Sequence, residues 1–198
     1  MAVCFVHRCG EVATPVADQT ELVFSQTVEG LLRALGPLDA ATKGRMQALG
    51  VDPDRLEPAY PADQYVALQR LAVELFAPNQ PFPVGIEALG RRFVDGYGET
   101  LMGRAVLAGL RLLGPVRALE RLSRTLSTGS TFFKTKLEEV RPAVWRLWIN
   151  RVTYPGWYVG LVQRGLEHAG AKKVEVRVVE HVGPGQGLTL EVTWAARG

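Results

Sequence analysis

Histidine and cysteine are scarce, at three and two among 198 residues. Both cysteines, Cys4 and Cys9, flank His7 at the extreme N-terminus. That makes three potential metal ligands, whereas a structural zinc site takes four, from two separated pairs. The segment therefore reads as a loose, reduced tail, and neither a metal nor another cofactor is expected. A Cys4–Cys9 disulfide would need an oxidising compartment. Long apolar runs are also missing. The most apolar stretch, Leu101 to Leu113, is interrupted by Arg104 and Arg111, so no membrane span is expected. Arg8 and Glu11 interrupt the apolar start before a secretory core can form. Cytoplasmic residence is the resulting expectation. A strong charge of one sign is lacking too. Lys plus Arg number 23 against 20 Asp plus Glu, a net +3, and basic residues cluster only in pairs such as Arg91-Arg92 and Lys172-Lys173. A nucleic-acid binder concentrates far more positive charge on one element, so no nucleic-acid partner is expected.

Hydrophobic residues make up 47% and charged residues 22%, the balance of an ordinary globular domain. Residues 1–19 lack periodicity and read as a flexible tail, which an upstream start codon would also produce. Glu21 to Ser25 reads as a short strand or a helix lead-in. Helical spacing follows at Val28, Leu31, Leu32 and Leu35, stopped by Gly36-Pro37. Asp39 caps a second helix that Gly50 ends. Val51 to Pro61, with three prolines, reads as a connection. Tyr65, Leu68, Leu71, Ala72, Leu75 and Phe76 form the next stripe, and Val84 to Tyr97 the one after. Glu99 to Leu113 is apolar enough to predict burial on most sides. Gly114-Pro115 separates it from a helix through Leu126.

Near residue 128 the period changes from 3.6 to 2. Thr131 to Val140 and Val144 to Val152 read as strands, the first with Phe133, Thr135 and Leu137 on one face. The second puts Trp145, Leu147 and Ile149 on one face. Trp157 to His168 reads as a helix. Lys173 to Val182 follows as a strand with Val174, Val176 and Val178 inward. Gly183 to Gly187 turns the chain into a last strand carrying Leu188, Leu190, Val192 and Trp194. The expected organisation is α+β. A tail (1–19) precedes a helical part (20–127), which packs on a four-stranded antiparallel sheet in β-β-α-β-β order (128–198). Together these make one compact domain.

No catalytic constellation emerges. Ser127-Thr-Gly-Ser130 is not a nucleophile elbow, and His168 and His181 read as surface histidines. Gly183-Pro-Gly-Gln-Gly187 leads into a strand and has no helix N-terminus to bind an anion. Glu138 and Glu139 point to opposite faces of a strand, and Asp52-Pro-Asp54 fits a helix start. The chain is therefore expected not to be an enzyme. Two features remain. Arg117, Arg121 and Arg124 recur at helical spacing, with Arg104 and Arg111 upstream. Trp145, Trp148, Tyr154, Trp157 and Tyr158 crowd into a short stretch, with Trp145 and Trp148 on opposite strand faces. Aromatics on both faces call for a pocket or a partner in addition to core packing.

Gly90-Arg-Arg-Phe-Val-Asp-Gly-Tyr-Gly-Glu-Thr100, Gly103, Gly114-Pro-Val-Arg117, Tyr154-Pro-Gly-Trp-Tyr-Val-Gly160, Gly170 and Trp194 together resemble a paralogous myxobacterial family of similar length. The resemblance runs from about Val23 to Trp194. That family is a domain of unknown function, so it implies no activity. Helices followed by β-β-α-β-β are also similar in architecture to the haem-nitric-oxide-binding domains and the related vinyl-reductase-like domains. That resemblance implies a ligand held between helices and sheet. Residues 21–126 contain no histidine, there is no Tyr-x-Ser-x-Arg porphyrin clamp, and residues 10–198 contain no cysteine. The resemblance therefore does not imply haem held through a proximal histidine. The expected function is a non-enzymatic sensory or regulatory module binding a small apolar or amphipathic ligand. Tyr97, Trp145, Trp157 and Tyr158 would form its walls, and Arg104 would pair with an acidic ligand group. The alternative is an intracellular protein-interaction module using Arg117, Arg121, Arg124 or Trp148.

Overall fold

The computed structural model describes residues 21–195. The tail with Cys4, His7 and Cys9 lies outside them. The described chain runs β1 (Leu22–Phe24), α1 (Ser25–Leu35), α2 (Ala40–Ala48), β2 (Ala59–Pro61), α3 (Ala62–Phe76), α4 (Phe82–Tyr97) and α5 (Leu101–Thr128). It continues with β3 (Thr135–Arg141), β4 (Val144–Val152), α6 (Pro155–His168), β5 (Lys172–His181) and β6 (Gln186–Ala195). The fold is α+β, as the periodicity predicts. The four long strands form one antiparallel sheet in the order β3-β4-β6-β5.

Local chemistry explains most boundaries. The Asp39 carboxylate accepts a hydrogen bond from the Thr42 backbone N–H at 2.8 Å and starts α2. Thr100 does the same for Gly103 N–H at 2.9 Å at the head of α5. Gly114 interrupts α5 at φ 75°, a left-handed conformation open to glycine, and Pro115 restarts it. The inner sheet face is dry: Leu147, Ile149, Leu188, Leu190 and Val192 are fully buried. Helix α6 crosses this face between β4 and β5, and the second half of α5 reaches β3 through a Ser123–Thr135 hydroxyl pair at 2.9 Å.

Four expectations need correction. The proline-rich connection contains β2, which pairs with β1 in register Val23 to Tyr60; the notion of a bare connection fails because backbone pairing supplies what composition cannot. Phe133 lies before β3, not on it. Val178 is half exposed, since β5 is an edge strand with a bulge between Val178 and Glu180. Finally, Leu101 to Leu113 is not buried on most sides. Leu101 is 79% and Leu112 89% exposed, because only the face carrying Gly103 and Leu110 meets the body.

Candidate functional site

Two spacings set the site. On α4, Phe93, Val94 and Tyr97 share a face; on α6, Trp157, Tyr158 and Leu161 do. Glycines let these helices meet closely. A Cβ on Gly90 would overlap the Trp157 carbonyl, and one on Gly160 would overlap that of Glu87. The backbones therefore touch, and the aromatic rings are pressed together. Phe93 and Trp157 lie 4.9 Å apart, Phe93 stacks on Tyr97 at 5.9 Å, and Tyr65 of α3 meets Trp157 edge-on at 6.5 Å.

These rings wall an apolar chamber of about 100 Å³. Val106, Leu107, Leu122 and Leu126 of α5 line it as well, together with Phe133. A second, open cleft of about 600 Å³ adjoins it, lined by polar groups that include Glu21, Asp63, Gln69, Arg151 and Thr153. Arg151 and Glu21 form an ion pair at its rim. Chamber and cleft share Val23, Tyr65, Phe133 and Tyr158. The partition between apolar and polar space is thus made largely of two tyrosines and a phenylalanine.

The tyrosines carry the chemistry. Tyr65 is 7% exposed, and its hydroxyl has no hydrogen-bond partner among the described residues. Burial, and then the neighbouring Tyr158, push its ionisation well up; burial pushes Tyr158 up as well. Both are therefore neutral phenols able to donate a hydrogen bond. A buried donor without an acceptor costs roughly 1–3 kcal/mol, and a ligand oxygen would relieve that cost.

Of the residues singled out in the sequence, the structure brings Tyr97, Trp157 and Tyr158 together on the chamber wall. Trp145 sits on the inner sheet face opposite Val192, outside the chamber lining, with its indole N–H unpartnered among the described residues. Arg104 is exposed on α5 and lines neither space. Arg117, Arg121 and Arg124 are exposed and border a shallow groove with Leu113. Trp148 is on the outer sheet face, half covered by Lys136, whose ammonium lies 5.4 Å from its ring. Sequence reading missed Tyr65, Phe93 and Phe133 as wall residues. A tyrosine among the aliphatics of the α3 stripe was the only signal for Tyr65.

The two described histidines are engaged elsewhere. His168 Nε2 is 2.9 Å from the Asp95 carboxylate, and His181 Nε2 is 3.2 Å from the Val152 carbonyl. Among the described residues no cluster of three His, Cys, Asp or Glu side chains is placed to hold a metal ion.

This arrangement of helices over an antiparallel sheet is the H-NOX fold. An oxygen-binding H-NOX domain related to soluble guanylate cyclases, solved as its oxygen complex, shares 14% identity at a TM-score of 0.65. The match covers 85% of this chain and 93% of that one. A structure addressing the molecular mechanism of H-NOX activation gives 15% identity and 0.63, over 85% and 95%. A mutant H-NOX protein from K. algicida, in its unliganded Fe(II) form, gives 10% and 0.56, over 87% and 96%. At these identities the likeness establishes the fold. By sequence, the chain belongs to the family described as protein of unknown function (DUF2378), which matches residues 21–195. No protein with a curated description matches it.

Proposed function

We propose that this protein is a non-enzymatic sensory or regulatory module of intracellular signalling that binds a small amphipathic molecule between its helices and its sheet. The observation that carries this reading is Tyr65, whose side chain lines both an apolar chamber and a polar cleft and whose buried hydroxyl has no partner among the described residues. The ligand's apolar end enters the chamber, a carbonyl or hydroxyl oxygen accepts from Tyr65 or Tyr158, and its polar end lies in the cleft near Arg151. The likeness in fold to an oxygen-binding H-NOX domain supports a ligand-binding reading.

Haem, whose porphyrin one structural neighbour distorts, does not fit these residues. Neither described histidine lines the chamber or the cleft. A chamber of about 100 Å³ is smaller than the ~150 Å³ cavity that accommodates benzene. A porphyrin would have to displace Phe93, Tyr97 or Trp157. Catalysis finds little support either, since the His168–Asp95 pair is shared with Arg164 and stands away from both spaces.

The test compares the full chain with Tyr65→Phe by native mass spectrometry and thermal unfolding. A small bound mass is expected in the wild type and a much reduced one in the variant. Stripped of ligand, the variant should be as stable or more stable by about 1 kcal/mol, because a buried unmet donor is gone. An equal bound mass in both chains, or no bound mass and no stabilisation by small amphipaths in the wild type, would sink the reading.

A further inference from the structure

We infer that α5 docks this protein onto an anionic lipid surface. At 100° per residue, Leu101, Ala105, Ala108 and Leu112 fall on one strip about 60° wide. That strip points outward. Leu101 is 79% exposed and Leu112 89%, with Met102 beside them at 56%. A helix lying on a globular body normally turns its apolar stripe inward and its polar residues out; here the outward strip is apolar.

Charge selects the occupant. Arg104 and Arg111 border the strip and are exposed. Past the Gly114 break, Arg117, Arg121 and Arg124 continue the exposed positive charge. The Arg121 guanidinium lies 3.7 Å from where a Cβ on Gly109 would stand, so the second half's charge adjoins the first half. Helix α5 thus carries five arginines against one carboxylate, Glu120. Arg124 alone pairs with it, at 3.9 Å, and among the described residues the other four arginines have no ion pair.

Exposed leucines set beside guanidiniums match a headgroup layer. The leucines reach the acyl boundary and the arginines take lipid phosphates. One short apolar strip adsorbs weakly, so the arginines must contribute, at about fivefold in partition for each one near the surface. No described helix is long and apolar enough to cross a membrane, so the contact is with the surface. This inference stands apart from the ligand chamber, and either can fail alone.

The experiment is flotation of the full chain with vesicles of phosphatidylcholine and phosphatidylglycerol in equal parts, and with phosphatidylcholine alone. The chain should float with the mixed vesicles, not with the neutral ones, and less as salt rises. Arg104→Gln with Arg111→Gln should weaken partition about 25-fold, two arginines at about fivefold each. Leu101→Glu with Leu112→Glu should abolish it, while thermal unfolding shows both variants folded, since all four side chains are exposed. Absence of flotation with mixed vesicles overturns the proposal. So does flotation untouched by the leucine variant. A dimer in sedimentation that the leucine variant dissolves would assign the strip to a second copy instead.

Discussion

Along the α4–α6 seam two backbones touch, at Gly90 and Gly160; along the first half of α5 the apolar strip faces outward. The seam is also tied by charge. Asp95 of α4 receives Arg164 and His168 of α6, each at 2.9 Å, and Arg91 meets Glu167 at 2.8 Å. The first half of α5 is seated by Gly103 against Tyr97 and by buried Leu110. Both regions are rich in Gly, Leu and Arg, so composition does not separate them. What separates them is where the glycines fall. At the seam Gly90 and Gly160 both face a neighbouring helix's backbone, whereas in the first half of α5 Gly103 faces the Tyr97 backbone and Gly109 faces only the Arg121 side chain. The chamber lies between the two, lined by buried Phe93 and Trp157 on one side and by half-buried Val106 and Leu107 of α5.

The largest break is at the seam. Gly160→Leu places a side chain against the Glu87 carbonyl, where only backbone movement makes room, since the Arg91 amide nitrogen stands 2.9 Å from the same Cβ. The expected loss is about 3 kcal/mol or more, read as a lower urea midpoint at unchanged slope. A loss under about 1 kcal/mol would mean the helices are not in backbone contact.

Asp95→Asn comes next. Burial pushes this carboxyl up, but hydrogen bonds from His168 and Arg164 outweigh it and hold the group below the usual carboxylate range. A carboxyl with a lowered folded pKa adds stability above its unfolded value of about 3.9, and that stability is lost as pH falls through the folded value. The group is partly exposed, so the expected cost of the variant at neutral pH is about 1 kcal/mol. The gap between wild type and variant should close below about pH 4. A gap constant from pH 7 to pH 3 would show that the ion pairs contribute nothing.

The contrast between these regions was only half legible in the sequence. Leu stripes, the Asp39 cap, the Gly114-Pro115 break and the Gly183–Gly187 hairpin are local signals, and each appears where its chemistry places it. Glu21 to Ser25 reads as a strand or a helix lead-in and contains β1; its partner β2 escaped because a three-residue strand is too short to show a period. The exposure of Leu101 and Leu112 escaped because hydrophobicity says what a face prefers, not whether anything covers it. Of the aromatic crowding near Trp157, Trp157 and Tyr158 line the chamber, whereas Trp145 and Trp148 do not. The lining's continuation through Tyr65, and the Glu21–Arg151 rim, join residues far apart in the chain, and no spacing rule reaches them.

The smallest effect is the most discriminating, because it applies the same chemistry to the opposite region. Gly109 lies in the first half of α5, where a Cβ would meet only the Arg121 guanidinium, at 3.7 Å, an ordinary contact with the end of a flexible side chain. Its backbone is helical, so Gly109→Ala gains helix propensity and meets no wall. The expected change is a gain of about 0.5–1 kcal/mol, or roughly 1–4 °C in Tm. The sign is opposite to that at Gly160 although both positions are helical glycines. A loss at Gly109 would mean that α5 is seated there as tightly as α6 is at Gly160.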